Sequence, residues 1–98
     1  MIDNIQYIWE RLSREELLAQ LAEEAMELGH AALKLRRVMD GSNPTPVSRE
    51  EAEENLLEEI VDIFVCLAVL GCCKVGPEGD ERYGRKLERW VSRLAEKE

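Results

Sequence analysis

The segment from residue 60 to residue 73, IVDIFVCLAVLGCC, is apolar except for one charged side chain, Asp62. A helix that is apolar on every side must be covered on every side, which limits the folds open to so short a chain. A lone carboxylate is costly to bury unless it is paired or bound to a metal. Glu59 lies one helical turn earlier on the same side. We therefore expect Asp62 to be buried and to share a partner or a metal ion with Glu59.

Capping signals and helix-breaking residues predict an all-α fold. Ser13 and Ser48 are each followed three residues later by a glutamate, a capping box that begins a helix. Loops rich in Gly, Asn and Pro follow at 40–46 and 76–79. No strand pattern is present, so we expect one domain over 1–98, a four-helix protomer with two long antiparallel helices. The predicted helices cover residues 3–12, 14–38, 49–73 and 80–96.

Helical spacing of apolar residues predicts the faces that pack together. The second half of helix three is apolar all round, which a chain of this size can barely cover, so we expect a homodimer or homotetramer. Trp9 is expected in the core. The predicted apolar seams are Leu21, Ala25, Leu28, Ala32 and Leu35 on helix two, Leu56, Ile60, Ile63 and Leu67 on helix three, and Tyr83, Leu87, Trp90, Val91 and Leu94 on helix four.

Composition excludes several functional classes. The net charge of −8 argues against a nucleic-acid-binding module, which needs a basic face. The three cysteines, Cys66, Cys72 and Cys73, fall in one apolar stretch and form neither a disulfide framework nor a zinc motif. We expect them to be core residues of a protein in a reducing compartment, the cytoplasm. The apolar run is too short to span a bilayer, and the acidic N-terminus does not resemble a signal peptide.

Two groups of acidic residues are expected to meet between the long helices. Glu24 and Glu27 lie beside the apolar seam of helix two, and Glu59 and Asp62 lie beside that of helix three. Four carboxylates brought together repel one another and raise each other's pKa values. One or two Mg²⁺ ions relieve this repulsion, because hard divalent cations favour oxygen ligands. Mg²⁺ also leaves coordination positions for water and for phosphate, which favours phosphoanhydride hydrolysis.

The acidic pattern resembles that of the MazG-like, all-α nucleoside triphosphate pyrophosphohydrolases. Glu23-Glu24-Ala25-Met26-Glu27 and Glu59-Ile60-Val61-Asp62 match the family's EExxE and ExxD motifs. The similarity covers roughly residues 17–72, with a weaker match in KLERW at 86–90. It implies a helical bundle that hydrolyses an NTP or dNTP to the monophosphate and pyrophosphate.

The resemblance also implies roles for individual residues. Metal ligation falls to Glu24, Glu27, Glu59 and Asp62, with Mg²⁺ as the cofactor and Mn²⁺ as a substitute. Glu23 is a supporting catalytic carboxylate that orients the attacking water. The residues expected to bind the substrate phosphates are Lys34, Lys86 and Arg89.

Other interpretations of the same residues remain open. Phosphoribosyl-ATP pyrophosphohydrolases share such an acidic pattern, but this chain lacks their usual sequence around the first motif. A non-catalytic interaction or regulatory protein with the same fold would leave Glu23 and Glu27 as a solvated face and Asp62 as a structural partner of an arginine. Glu27 and His30 have the Glu-x-x-His spacing of di-iron bundles, but those need the motif twice, so His30 is expected on the surface.

Overall fold

The computed structural model describes residues 3–42, 46–72 and 76–98 of the chain. In these ranges the protein is all-α, as predicted, with four helices of which α2 and α3 pack antiparallel. The first and third helices are shorter than expected, and the second is longer. The helices are α1 (Asn4–Trp9), α2 (Arg14–Asp40), α3 (Arg49–Val69) and α4 (Glu81–Glu96).

Both predicted capping boxes begin their helices as expected. The Ser13 hydroxyl accepts a hydrogen bond from the Glu16 amide at 3.1 Å, and the Ser48 hydroxyl accepts one from the Glu51 amide at 3.1 Å. Each bond satisfies one of the amides that a helix N-terminus otherwise leaves without a partner. The starts of the two long helices are therefore fixed by local sequence.

A turn at Gly71 ends α3 at Val69, although the apolar run continues in the sequence to Cys73. Gly71 has φ of +79°, a left-handed conformation that glycine adopts without strain. The Cys72 amide donates to the Leu67 carbonyl at 2.8 Å, and the Gly71 amide donates to the Ala68 carbonyl at 3.1 Å. These two bonds form a Schellman motif, which closes a helix. The predicted helix end at Cys73 lies outside the described residues, and the prediction that the helix continues past Gly71 is wrong.

The α2–α3 contact forms the interior of the protein, and its seam differs from the one predicted. Ala25 and Ala32 are exposed, whereas Glu24 and Ala31 lie on the half-buried face with Leu21, Leu28 and Leu35. The apolar periodicity correctly predicted the three leucines of this face. Between them it predicted Ala25 and Ala32, whereas the half-buried residues are Glu24 and Ala31, each one position earlier in the sequence. On α3 the predicted seam of Leu56, Ile60, Ile63 and Leu67 is confirmed, with Ala52, Glu59 and Cys66 added to it.

The two tryptophans are not core residues of this chain. Trp9 is 54% exposed, and its indole N–H donates to the Val69 carbonyl at the end of α3. Trp90 lies on α4, and every residue of α4 is exposed. In the described ranges α4 contacts no other helix. The predicted inner face of α4 therefore packs on no other helix within the described ranges. Among the described residues only Ala52 and Val69 are buried hydrophobic side chains.

No helix within the described ranges is both long and apolar enough to cross a membrane.

Ala52 tests the tightness of the α2–α3 contact, because its side chain is only 1% exposed. We expect Ala52→Leu to lower the free energy of unfolding by about 1–3 kcal/mol, since a larger side chain overpacks a filled site. Ala32→Leu, on the exposed face of α2, is the control and should change it by less than about 0.5 kcal/mol. Urea unfolding followed by circular dichroism measures both, and equal effects would contradict the described seam.

Candidate metal centre

Three carboxylates from the two long helices meet in one cluster. Glu24 and Glu27 project from α2 one turn apart, and Glu59 projects from the facing turn of α3. One carboxylate oxygen from each lies within 4.8 Å of the other two. This brings together three of the four predicted metal ligands.

One oxygen of Glu24 and one of Glu59 are shut off from solvent. Both are Oε2 atoms, and neither has a hydrogen-bond partner. The residues as a whole remain partly exposed, so the enclosure affects one oxygen of each carboxylate rather than the entire side chain. The other oxygen of Glu24 accepts a hydrogen bond from the Gln20 side-chain amide at 2.8 Å. Buried oxygens without a donor are rare in proteins and call for an explanation, such as a shared proton or a cation.

The cluster makes ionisation of its members costly. Partial burial, followed by the charges of Glu27 and Asp62, raises the pKa of Glu24 above its ordinary value. Burial and then the charges of Glu27, Asp62 and Glu24 raise the pKa of Glu59. Burial, together with the charges of Glu24 and Asp62, also raises the pKa of the Cys66 thiol, two turns beyond Glu59 on α3. The site therefore concentrates negative potential at its centre.

Asp62 occupies a different position from the one predicted. Its side chain is exposed and lies outside the group of three close carboxylates. It lines an open pocket of about 350 Å³ on the outer side of α3 with Glu54 and Glu58. The expectation of burial is wrong because only one face of α3 packs on α2, while the apolar neighbours Val61 and Val65 are themselves exposed. Asp62 still acts on Glu24 and Glu59 through its charge.

A pocket that contains two basic side chains adjoins the carboxylate cluster. Lys34 and Arg37 of α2 line an open pocket of about 350 Å³ together with Glu59 of the cluster. The predicted phosphate ligand Lys34 is thus next to the acidic site. Arg37 was missed from sequence, although it follows Lys34 by three residues and His30 precedes Lys34 by four, which places all three on one helical face. The remaining pocket residues are His30, Ala31, Asn55 and Glu58.

The other predicted site residues lie outside the cluster. Glu23 is exposed on α2 beside Glu24. Lys86 and Arg89 lie on α4, which contacts neither long helix, so the structure does not bring them to the carboxylates within one chain. His30 is exposed, as expected. Cys66 and Cys72 are half-buried, and Cys73 lies outside the described residues.

The described carboxylates fit a divalent cation. All three donor groups offer oxygen atoms, which Mg²⁺ and Mn²⁺ prefer, and the two enclosed oxygens lack any protein donor. The residues that would hold such an ion are Glu24, Glu27 and Glu59. Exposed carboxylate clusters are also common in proteins without a bound ion.

Comparisons of the chain with protein-family models, curated proteins and solved structures give no match.

The raised pKa values of Glu24 and Glu59 predict a pH dependence of stability without metal. A carboxyl group whose pKa is higher in the folded state binds more protons there than in the unfolded state. The free energy of unfolding in EDTA should therefore rise as the pH falls from 7 towards the ordinary glutamate range, and this gain should shrink in Glu59→Gln. Glu23→Gln removes the same charge from an exposed position and serves as control. A profile unchanged by Glu59→Gln, measured by urea unfolding, would contradict the described electrostatics.

Proposed function

We propose that this protein is a Mg²⁺-dependent nucleotide pyrophosphohydrolase, which converts an NTP or dNTP to the monophosphate and pyrophosphate. The observation that carries the proposal is the meeting of Glu24, Glu27 and Glu59 beside a pocket lined by Lys34 and Arg37. An acidic centre next to two cationic side chains suits a metal ion together with a phosphate chain. The resemblance to the MazG-like family supports the same assignment.

Different site residues have different roles in the proposed reaction. Glu24, Glu27 and Glu59 would hold the metal, which would supply positive charge to offset negative charge on phosphoryl oxygens. Asp62 lies outside this group and acts on Glu24 and Glu59 through its charge. Lys34 and Arg37 bind phosphate oxygens and orient the chain of phosphates. Glu23 orients the attacking water. We expect Lys86 and Arg89 to bind phosphate only when α4 reaches the site in an assembled homodimer or homotetramer.

The direct test is pyrophosphate release from a panel of NTPs and dNTPs, in Mg²⁺ and in EDTA. We expect release in Mg²⁺ and in Mn²⁺ but not in EDTA, together with the monophosphate. Inorganic phosphate as the only product would contradict the proposed bond of cleavage. No turnover of any nucleotide by folded protein would instead favour a non-catalytic interaction protein.

The stabilisation that Mg²⁺ gives at the proposed metal site can be measured without knowing the substrate. At a Mg²⁺ concentration of 100 times the dissociation constant, binding should stabilise the fold by about 2.7 kcal/mol. Glu59→Gln should abolish this stabilisation and lower kcat by at least about 100-fold, because it removes a ligand that a cation requires. Glu88→Gln on α4 is the control. Thermal unfolding with and without Mg²⁺ measures the effect, and a Glu59→Gln protein that keeps it would refute the ligand assignment.

The pocket beside the carboxylate cluster predicts a difference between two neighbouring arginines. Arg37 lines the pocket, whereas Arg36 points to solvent and makes a 3.7 Å ion pair with Asp40. We expect Arg37→Gln to raise KM for the nucleotide about tenfold or more, since charged hydrogen bonds to phosphate are strong. Arg36→Gln should leave KM within about twofold, because exposed ion pairs contribute little. Steady-state kinetics distinguishes the two, and equal KM values would exclude the pocket as a phosphate site.

A further inference from the structure

We propose that two copies of this chain exchange their C-terminal helices, so that α4 of each copy packs on the outer face of α3 of the other. Helix α4 contacts no helix of its own chain in the described ranges, and all its residues are exposed. Such an amphipathic helix depends on packing for most of its stability. Its unpartnered apolar face consists of Tyr83, Leu87, Trp90, Val91 and Leu94.

Helix α3 offers a surface of matching character. Its seam side packs on α2, but a second apolar strip runs along the opposite side at helical spacing. This outer strip consists of Leu57, Val61, Phe64 and Val65. Phe64 lines an open groove of about 740 Å³ together with Tyr83 and Lys86 of α4. Phe64 of the outer strip and Tyr83 of the α4 face therefore border one groove.

The combined surface is large enough for a stable dimer. The nine side chains of the two faces are each 44–65% exposed. They present on the order of 1,000 Å² per chain, taking roughly 200 Å² for each large side chain. Two copies that cover these faces bury about 1,200–2,000 Å², the range of specific protein interfaces.

Charge complementarity favours an α4 over a second α3 as the occupant of the outer strip, and in the described ranges the chain's own α4 does not contact its α3. Helix α3 carries seven acidic residues and one basic residue, whereas α4 carries five basic and three acidic residues. At 100° per residue, Glu58 and Asp62 border one edge of the outer strip of α3, and Lys86 and Arg93 border one edge of the apolar face of α4. Packing α3 on a second α3 would bring like charges together, while packing α4 on α3 pairs opposite charges and fixes their register.

The exchange has a consequence for the carboxylate site. Lys86 of one copy would lie beside Asp62 of the other and supply the positive charge that α4 does not supply within its own chain. This consequence rests on the proposed function. The packing itself does not, because it follows from the exposed faces and their charges.

Sedimentation equilibrium at micromolar concentration is the first part of the test. We expect a dimer whose dissociation constant rises at least tenfold in Trp90→Ser and in Phe64→Ser, since buried aromatic residues dominate interfaces. Met26→Ser and Leu33→Ser remove apolar side chains of similar exposure from α2 and should leave the constant unchanged. Circular dichroism checks that each variant is folded. A folded wild-type monomer overturns the proposal.

Cross-linking then distinguishes exchange from other dimers. In a chain whose three native cysteines are replaced by alanine, Val61→Cys and Val91→Cys are made separately, on chains carrying tags of different mass. The two chains are mixed and treated with a flexible bis-maleimide. We expect a covalent product that contains both tags.

The alternative is that α4 folds back on its own α3. A chain carrying both substitutions would then cross-link only within itself, and the mixed chains would give no product with both tags. That outcome overturns the exchange. Neither sedimentation nor cross-linking uses nucleotide or metal, so an inactive protein that dimerises and cross-links between chains refutes the proposed function alone.

Discussion

The contact between α2 and α3 places negative charge where an ordinary helix pair has aliphatic side chains. Glu24 and Glu59 occupy seam positions, between leucines on one helix and isoleucines on the other. One oxygen of each is enclosed without a donor, and partial burial raises the pKa of both. A helix pair with this interior is less stable than an aliphatic one unless a proton or a cation neutralises it. The stability of the α2–α3 contact therefore depends on what neutralises these two glutamates.

Much of the fold followed from local signals in the sequence. The serines at 13 and 48 begin their helices through side-chain bonds to nearby amides, which depend on no distant residue. The end of α3 was misplaced because apolar character suggested continuation, although Gly71 was available for a left-handed turn. Propensity and hydropathy describe helix interiors better than helix ends.

The candidate site was predictable only in part. The glutamates at 24, 27 and 59 meet as the spacing suggested, and Lys34 lies next to them. Asp62 could not be placed, because a helix that is apolar all round does not reveal which face packs on its own chain. Arg37 was overlooked because one arginine in a basic segment is indistinguishable from its neighbours until the facing helix defines a pocket.

The end of α3 has a consequence for the order of folding events. The Trp9 indole donates to the Val69 carbonyl, and the turn at Gly71 closes the helix immediately afterwards. The turn that ends α3 is therefore fixed by contacts within one chain. Formation of the α2–α3 hairpin is unimolecular, whereas the proposed docking of α4 on a second copy would be bimolecular and would depend on concentration. Trp9 contacts the end of α3 within one chain, whereas Trp90 lies on the exposed face of α4. Trp9 fluorescence would therefore report the packing of α1 on α3, and Trp90 fluorescence would report the proposed association.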